Sequence, residues 1–170
     1  MAEHATTTHS VRSGTGLDHF SDNAYALDRL IDHLHAAIDL ETLVAPRFFD
    51  ISLSAMAHET ADAWASCETR AMHFLLRAHL HPAHALAAEH LLDVLHDRGC
   101  DHQRLCTAPV ALLGAAGRLV GQEDIESIVL TRQLSHLAGL LRAVVDEAAL
   151  SFEFEADPEP EQASAPIHYV

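Results

Sequence analysis

The sequence predicts an all-α protein, an antiparallel bundle of four main helices plus one short apolar helix, and three features of its 170 residues carry that expectation. From Glu123 to Leu150, the residues Leu130, Leu134, Leu137, Leu141, Val144 and Ala148 recur at alternating steps of four and three. This is the stripe of a helix buried against other helices. Aliphatic residues and alanine supply most of the apolar content while aromatics make up only 5% of the chain, a balance that favours helix over strand. Proline punctuates the ends of the periodic segments. No sheet is expected.

The length suits one domain, large enough to bury about two thirds of its unfolded surface. Residues 1–17 carry threonine, serine and glycine without apolar periodicity and read as a flexible arm. The bundle is expected over 18–150, and 151–170 reads as an acidic, proline-containing tail.

Asp18, Ser21 or Asp22 can cap a first helix over about 22–41. Its buried face is Leu27, Leu30, Ile31, Leu34 and Ile38, and Asp28, Asp32, His35 and Asp39 form a neighbouring acidic stripe that reads as a solvated flank. Pro46 ends the connection, and Asp50 or Ser52 can cap a second helix reaching about His79. Trp64, Cys67, Ala71, Phe74 and Leu75 lie on its apolar side, with His58, Asp62 and His73 opposite. His81-Pro82 breaks the chain and places Pro82 first in a third helix, which Gly99 closes. There Ala87, Ala88, Leu91, Val94 and Leu95 face inward, and His84 on the same side is expected to be a hydrogen-bonded core histidine.

Thr107 is a candidate cap for a fourth helix, with Pro109 near its start. That segment is apolar nearly all round, so it is expected to be buried, with Gly114 and Gly117 permitting close approach. Glu123, Asp124 and Glu126 place carboxylates at the positive end of the last helix, whose stop is expected near Leu150. In the tail, Ile167, His168, Tyr169 and Val170 form a short apolar end that reads as frayed.

The formal charge is −15 at neutral pH, which argues against nucleic acid and anionic membranes and favours a basic protein partner. No apolar stretch of transmembrane length is expected, the longest lying near Val110 to Val120, and no signal peptide opens the chain. Cys67, Cys100 and Cys106 are an odd number without framework spacing, which suits reduced thiols in the cytosol. All ten basic residues are arginine, so chemistry that depends on a P-loop, kinase or Schiff-base lysine is excluded.

Fifteen histidines raise the question of metal binding. His96, Cys100, His102 and Cys106 are the tightest set, four nitrogen or sulfur donors of the kind that tetrahedral zinc requires. Asp93-x-x-His96 and Asp32-x-x-His35 have the spacing of dimetal bundle sites but lie off the predicted core faces. Met56-Ala57-His58-Glu59 resembles a fragment of the phosphoacceptor box of histidine kinases; the arginine and proline that follow there are missing, as is any nucleotide-binding motif. No Gly-x-Ser-x-Gly elbow is present, and Cys67 falls on an apolar face where a thiol is inert.

The expected function is therefore that of a non-catalytic acidic interaction protein, an adaptor, chaperone-like or inhibitor subunit that binds a basic partner. Ile125, Ile128 and Val129, off the main stripe, also suggest a homodimer contact. The competing reading is a histidine-rich metal-binding protein with the zinc-type site above.

Overall fold

The computed structural model describes residues 15–45, 54–97 and 105–155, with side chains described over 18–45, 54–97 and 105–147. There the chain forms five helices: α1 (Thr15–Val44), α2 (Ser54–Leu75), α3 (Pro82–Asp97), α4 (Thr107–Leu119) and α5 (Ile125–Glu155). The described residues contain no strand. The all-helical class expected from the sequence is what the chain adopts.

One apolar cluster draws on all five helices. Helical spacing puts Leu27, Leu30, Ile31 and Leu34 of α1 on one face, against Cys67, Ala71 and Phe74 of α2 and Ala87, Ala88, Leu91 and Val94 of α3. From α5 come Leu134, Leu137, Ala138, Leu141 and Val144, so the stripe read in the sequence is the stripe that is buried. Ala148, its last member, lies outside the residues whose side chains are described.

The helix ends differ from expectation where local signals are weak. α1 begins at Thr15, so Asp18 stands inside its first turn, where its carboxylate faces the positive pole of the helix. α2 stops at Leu75 instead of reaching His79. The Arg77 N–H donates to the Phe74 carbonyl (3.1 Å), and His79 takes a left-handed conformation (φ 56°) that turns the chain towards α3. Pro46, Asp50, Ser52 and Gly99, the expected punctuation of α2 and α3, lie outside the described residues.

Pro82 opens α3 as expected, and the residue before it does more than avoid the helix. The Ala83 N–H donates to His81 Nδ1 (3.1 Å), so an imidazole caps this helix. At α5 the cap is Asp124, whose Oδ1 accepts the Ser127 N–H (2.8 Å), while Gln122 Oε1 accepts the Ser127 hydroxyl (2.8 Å). The hydrogen bond from the Ser127 N–H, the leading cause, holds the Asp124 carboxyl below the usual carboxylate range. α5 also runs on to Glu155, five residues past the expected stop. Ser151 to Glu155 holds no glycine or proline, so nothing local ends the helix there.

α4 corrects a second expectation. Cys106, not Thr107, occupies the capping position. The helix is not buried all round: Ala108, Pro109, Leu112, Ala115 and Ala116 face the core, but Val110 and Leu113 are 69% and 49% exposed. Gly114 and Gly117 lie on the exposed side, and a Cβ placed on Gly117 would meet nothing within 4 Å. The small residues that allow close packing are the alanines. Gly121 has φ 92° in the turn to α5, where a side chain would be strained.

Ile125–Glu147 is, by length and composition, apolar enough to cross a bilayer (mean hydropathy 1.2), which the sequence reading had not anticipated. Packing accounts for that composition, because Leu130, Leu134, Leu137 and Leu141 are each no more than 1% exposed.

Candidate functional site

Two constellations bring chemically competent side chains together. The first is a histidine centre where α1, the α2–α3 turn, α3 and α5 meet. His84 is fully buried on α3, and its Nε2 lies 3.3 Å from Gln133 Oε1 of α5. The Gln133 amide nitrogen donates to the Ala24 carbonyl of α1 (2.7 Å), which leaves its oxygen to accept from His84. His84 therefore carries its proton on Nε2, and among the described residues its Nδ1 lone pair has no hydrogen-bond partner. Phe20 stacks on the ring (centroids 5.3 Å apart), and Phe74 and His81 meet it edge-on, each at 6.1 Å. Burial lowers the proton affinity of His84, outweighing the Gln133 hydrogen bond; His81 lowers it further and Asp28 raises it.

Asn23 secures the same end of the molecule. Only 3% exposed, it donates to the Ala78 and His79 carbonyls (3.5 and 3.3 Å) and accepts from Arg77 Nε (2.8 Å). The rings of His19 and His79 stack beside it at 4.8 Å.

The second constellation is a groove of about 520 Å³ between α1 and α2. From α1 come Asp22, Tyr25, Ala26, Arg29, Leu30 and His33, from α2 Arg70, His73 and Phe74, and from the turn after α2 Arg77. Each set repeats at three and four residues, so each is one helix face. Arg77 is aimed by Asn23 Oδ1 and by the Asp22 carbonyl (3.4 Å), and Arg70 donates from Nε to Ser66 Oγ (3.3 Å). Arg29 reaches Asp32 at 3.7 Å, both side chains being more than half exposed. Burial, then Arg70 and Arg29, hold His33 below the ordinary histidine value against the opposing Asp32.

The residues singled out from the sequence are largely engaged elsewhere. His96 donates to Glu68 of α2 (2.8 Å), Cys106 is exposed, and Cys100 and His102 lie outside the described residues. Among the described residues no group of three or more metal-ligating side chains comes together. Asp93 neighbours His90 (3.6 Å), Asp32 neighbours Arg29, and His35 neighbours Asp39 (3.7 Å), all at the surface. His58 is exposed and donates from Nδ1 to the Ser54 carbonyl (2.6 Å). Cys67 is buried, which pushes its thiol up to about 11 despite nearby Arg70.

Sequence reasoning missed the groove, although Arg70-x-x-His73-Phe74-x-x-Arg77 and Arg29-x3-His33 were legible as single helix faces. No family model, curated protein or solved structure matches this chain.

Proposed function

We propose that this chain is a non-catalytic helical interaction protein, an adaptor, chaperone-like or inhibitor subunit, that meets a basic protein partner through its acidic outer surface. The observation that carries the reading is charge placement. In a chain of formal charge −15, Asp32, Asp39, Asp62, Glu89 and Asp93 stand exposed on the outward sides of three successive helices. Such a surface raises the encounter rate with a cationic partner and repels nucleic acid and anionic membranes. The reading places the chain in the cytosol.

The architecture that goes with it is an antiparallel arrangement of four main helices with α4 as the short fifth. It is supported by Asn23, near the start of α1, meeting the turn after α2. It is supported too by α3, whose first turn lies against Phe74 and whose last turn reaches back to Glu68.

Capture of binding proteins on the immobilised full chain, identified by mass spectrometry, tests the function. The expected partner is basic, retained at ~0.1 M salt and released at ~1 M, where the Debye length has fallen from ~10 to ~3 Å. An acidic partner, or retention through the salt step, would contradict the proposal. Recovery of a second copy of this chain would instead favour the dimer, for which Ile125 and Ile128, 78% and 58% exposed, are the apolar contact.

A further inference from the structure

We infer that the groove between α1 and α2 is a binding site for a small organic phosphate monoester, its dianionic head facing Arg70 and Arg77 and its organic body lying against Tyr25 and Ala26. The inference goes beyond the acidic-surface reading and does not depend on it.

Charge is the first support. Acids outnumber arginines by fifteen in this sequence, so a guanidinium has many potential carboxylate partners. Arg132 and Arg142 use them, reaching Asp28 at 2.9 Å and Asp146 at 3.9 Å. Arg70 and Arg77 do not: among the described residues neither is paired with a carboxylate, although both line one groove. Arg29, Arg70 and Arg77 bring three positive charges to the lining; Asp22 there and Asp32, which pairs with Arg29, offset two of them, and among the described residues the guanidinium groups left without a carboxylate are Arg70 and Arg77, the two that would meet a phosphate dianion.

Geometry is the second support. Arg77 is fixed through its Nε and one terminal nitrogen, and Arg70 through its Nε alone, so terminal N–H donors remain on both. A planar guanidinium presents such donors in the fork that matches two phosphate oxygens. The volume, about 520 Å³, is that of a small-molecule site, not of an extended polypeptide track. Tyr25, 69% exposed, gives an organic body an aromatic surface to cover at the rim.

A third support is His33. Burial first, then Arg70 and Arg29, lower the proton affinity of this imidazole against the opposing Asp32, so the groove's arginines already act on a neighbouring group. The groups that line the groove with it are Asp22, Tyr25 and Arg29 on α1, Arg70 and His73 on α2 and Arg77 in the turn after α2, and Asp32 on α1 also acts on it. A bound dianion would reverse that bias.

Calorimetric titration of the full chain with phenyl phosphate tests the site, with Arg70→Gln as the site variant and Arg142→Gln as the control on α5. One saturable event is expected, weakened roughly tenfold or more by Arg70→Gln and unchanged by Arg142→Gln, since charge-assisted hydrogen bonds to a guanidinium are among the stronger ones. Far-ultraviolet dichroism checks that each variant folds. In a proton-NMR titration the His33 ring signal, assigned with His33→Gln, should move its midpoint to higher pH when phenyl phosphate is bound.

No saturable binding, equal loss in both arginine variants, or an unmoved His33 midpoint at saturation would each overturn the assignment. Inorganic phosphate binding as tightly as phenyl phosphate would remove the organic body from it. Polyglutamate binding more tightly, and through Arg70, would give the groove to an acidic polypeptide instead.

Discussion

Leu137→Ala and Leu141→Ala are each expected to cost about 2–5 kcal/mol of unfolding free energy, the range seen when a buried leucine is cut back to alanine. Both side chains are 0% exposed and belong to the cluster that joins α5 to the other four helices. Deleting three carbons there removes their transfer energy and leaves a cavity that rigid neighbouring helices fill only in part. Leu113, 49% exposed on α4, is the internal comparison, and its replacement by alanine should cost well under half as much. Urea denaturation at constant pH measures all three. Lower midpoints with an unchanged slope are the expected result for the two α5 variants. A cost below ~1 kcal/mol at either would mean that the stripe is not the core.

His84→Ala should cost about as much, ~2–4 kcal/mol, because it opens a space between Phe20 and Phe74 and leaves the buried Gln133 oxygen without its donor. The more telling variant is His84→Gln, which keeps an N–H donor but cannot titrate. The folded-state pKa of His84 lies below the ordinary value, chiefly through burial, so the unfolded chain binds the extra proton between that lowered value and ~6.5. Stability is therefore complete above ~6.5, falls as pH drops through that window, and levels off below it. His33, also lowered, adds a slope of the same sign. Denaturation curves at stepped pH should show His84→Gln starting lower than wild type but losing less on acidification. A slope identical to wild type would mean that His84 is not the group being charged.

The fold was legible wherever one residue type repeated with helical period. The leucines of α5, the Leu27–Leu34 face of α1 and the Ala87–Val94 face of α3 needed only local spacing, because a helix fixes which side chains share a side. Pro82 was equally plain, since its ring fixes a helix start. α4 failed for the opposite reason: with apolar residues all round, periodicity could not say that the alanines would turn inward and leave Val110 and Leu113 outside. The end of α5 was misplaced because the acidic, proline-containing composition after Leu150 reads as a tail, whereas no glycine or proline stands between Leu150 and Pro158 to stop the helix.

Site features divide along the same line. His84 was recognisable as a core histidine from its face alone, whereas its partner Gln133 lies 49 residues away and only packing brings the two together. The arginine groove needs one face of α1 to meet one face of α2, and sorting each helix into a core side and a solvent side hides the boundary between them. The zinc-type set read from His96 to Cys106 rested on proximity in sequence; Cys100 and His102 lie outside the described residues, and His96 meets Glu68.

The central claim is that the molecule presents a strongly anionic surface whose charge the histidines can offset. Electrophoretic mobility of the full chain between pH ~7.5 and ~5.5 measures this most directly, because a solvated imidazole takes up its proton near ~6.5. Burial and nearby charges lower the proton affinity of His33 and His84, two of the fifteen histidines in a chain of formal charge −15. Mobility should be strongly anionic at the upper end and fall to a small fraction of that value at the lower. A chain that remains strongly anionic at pH ~5.5 would contradict the account.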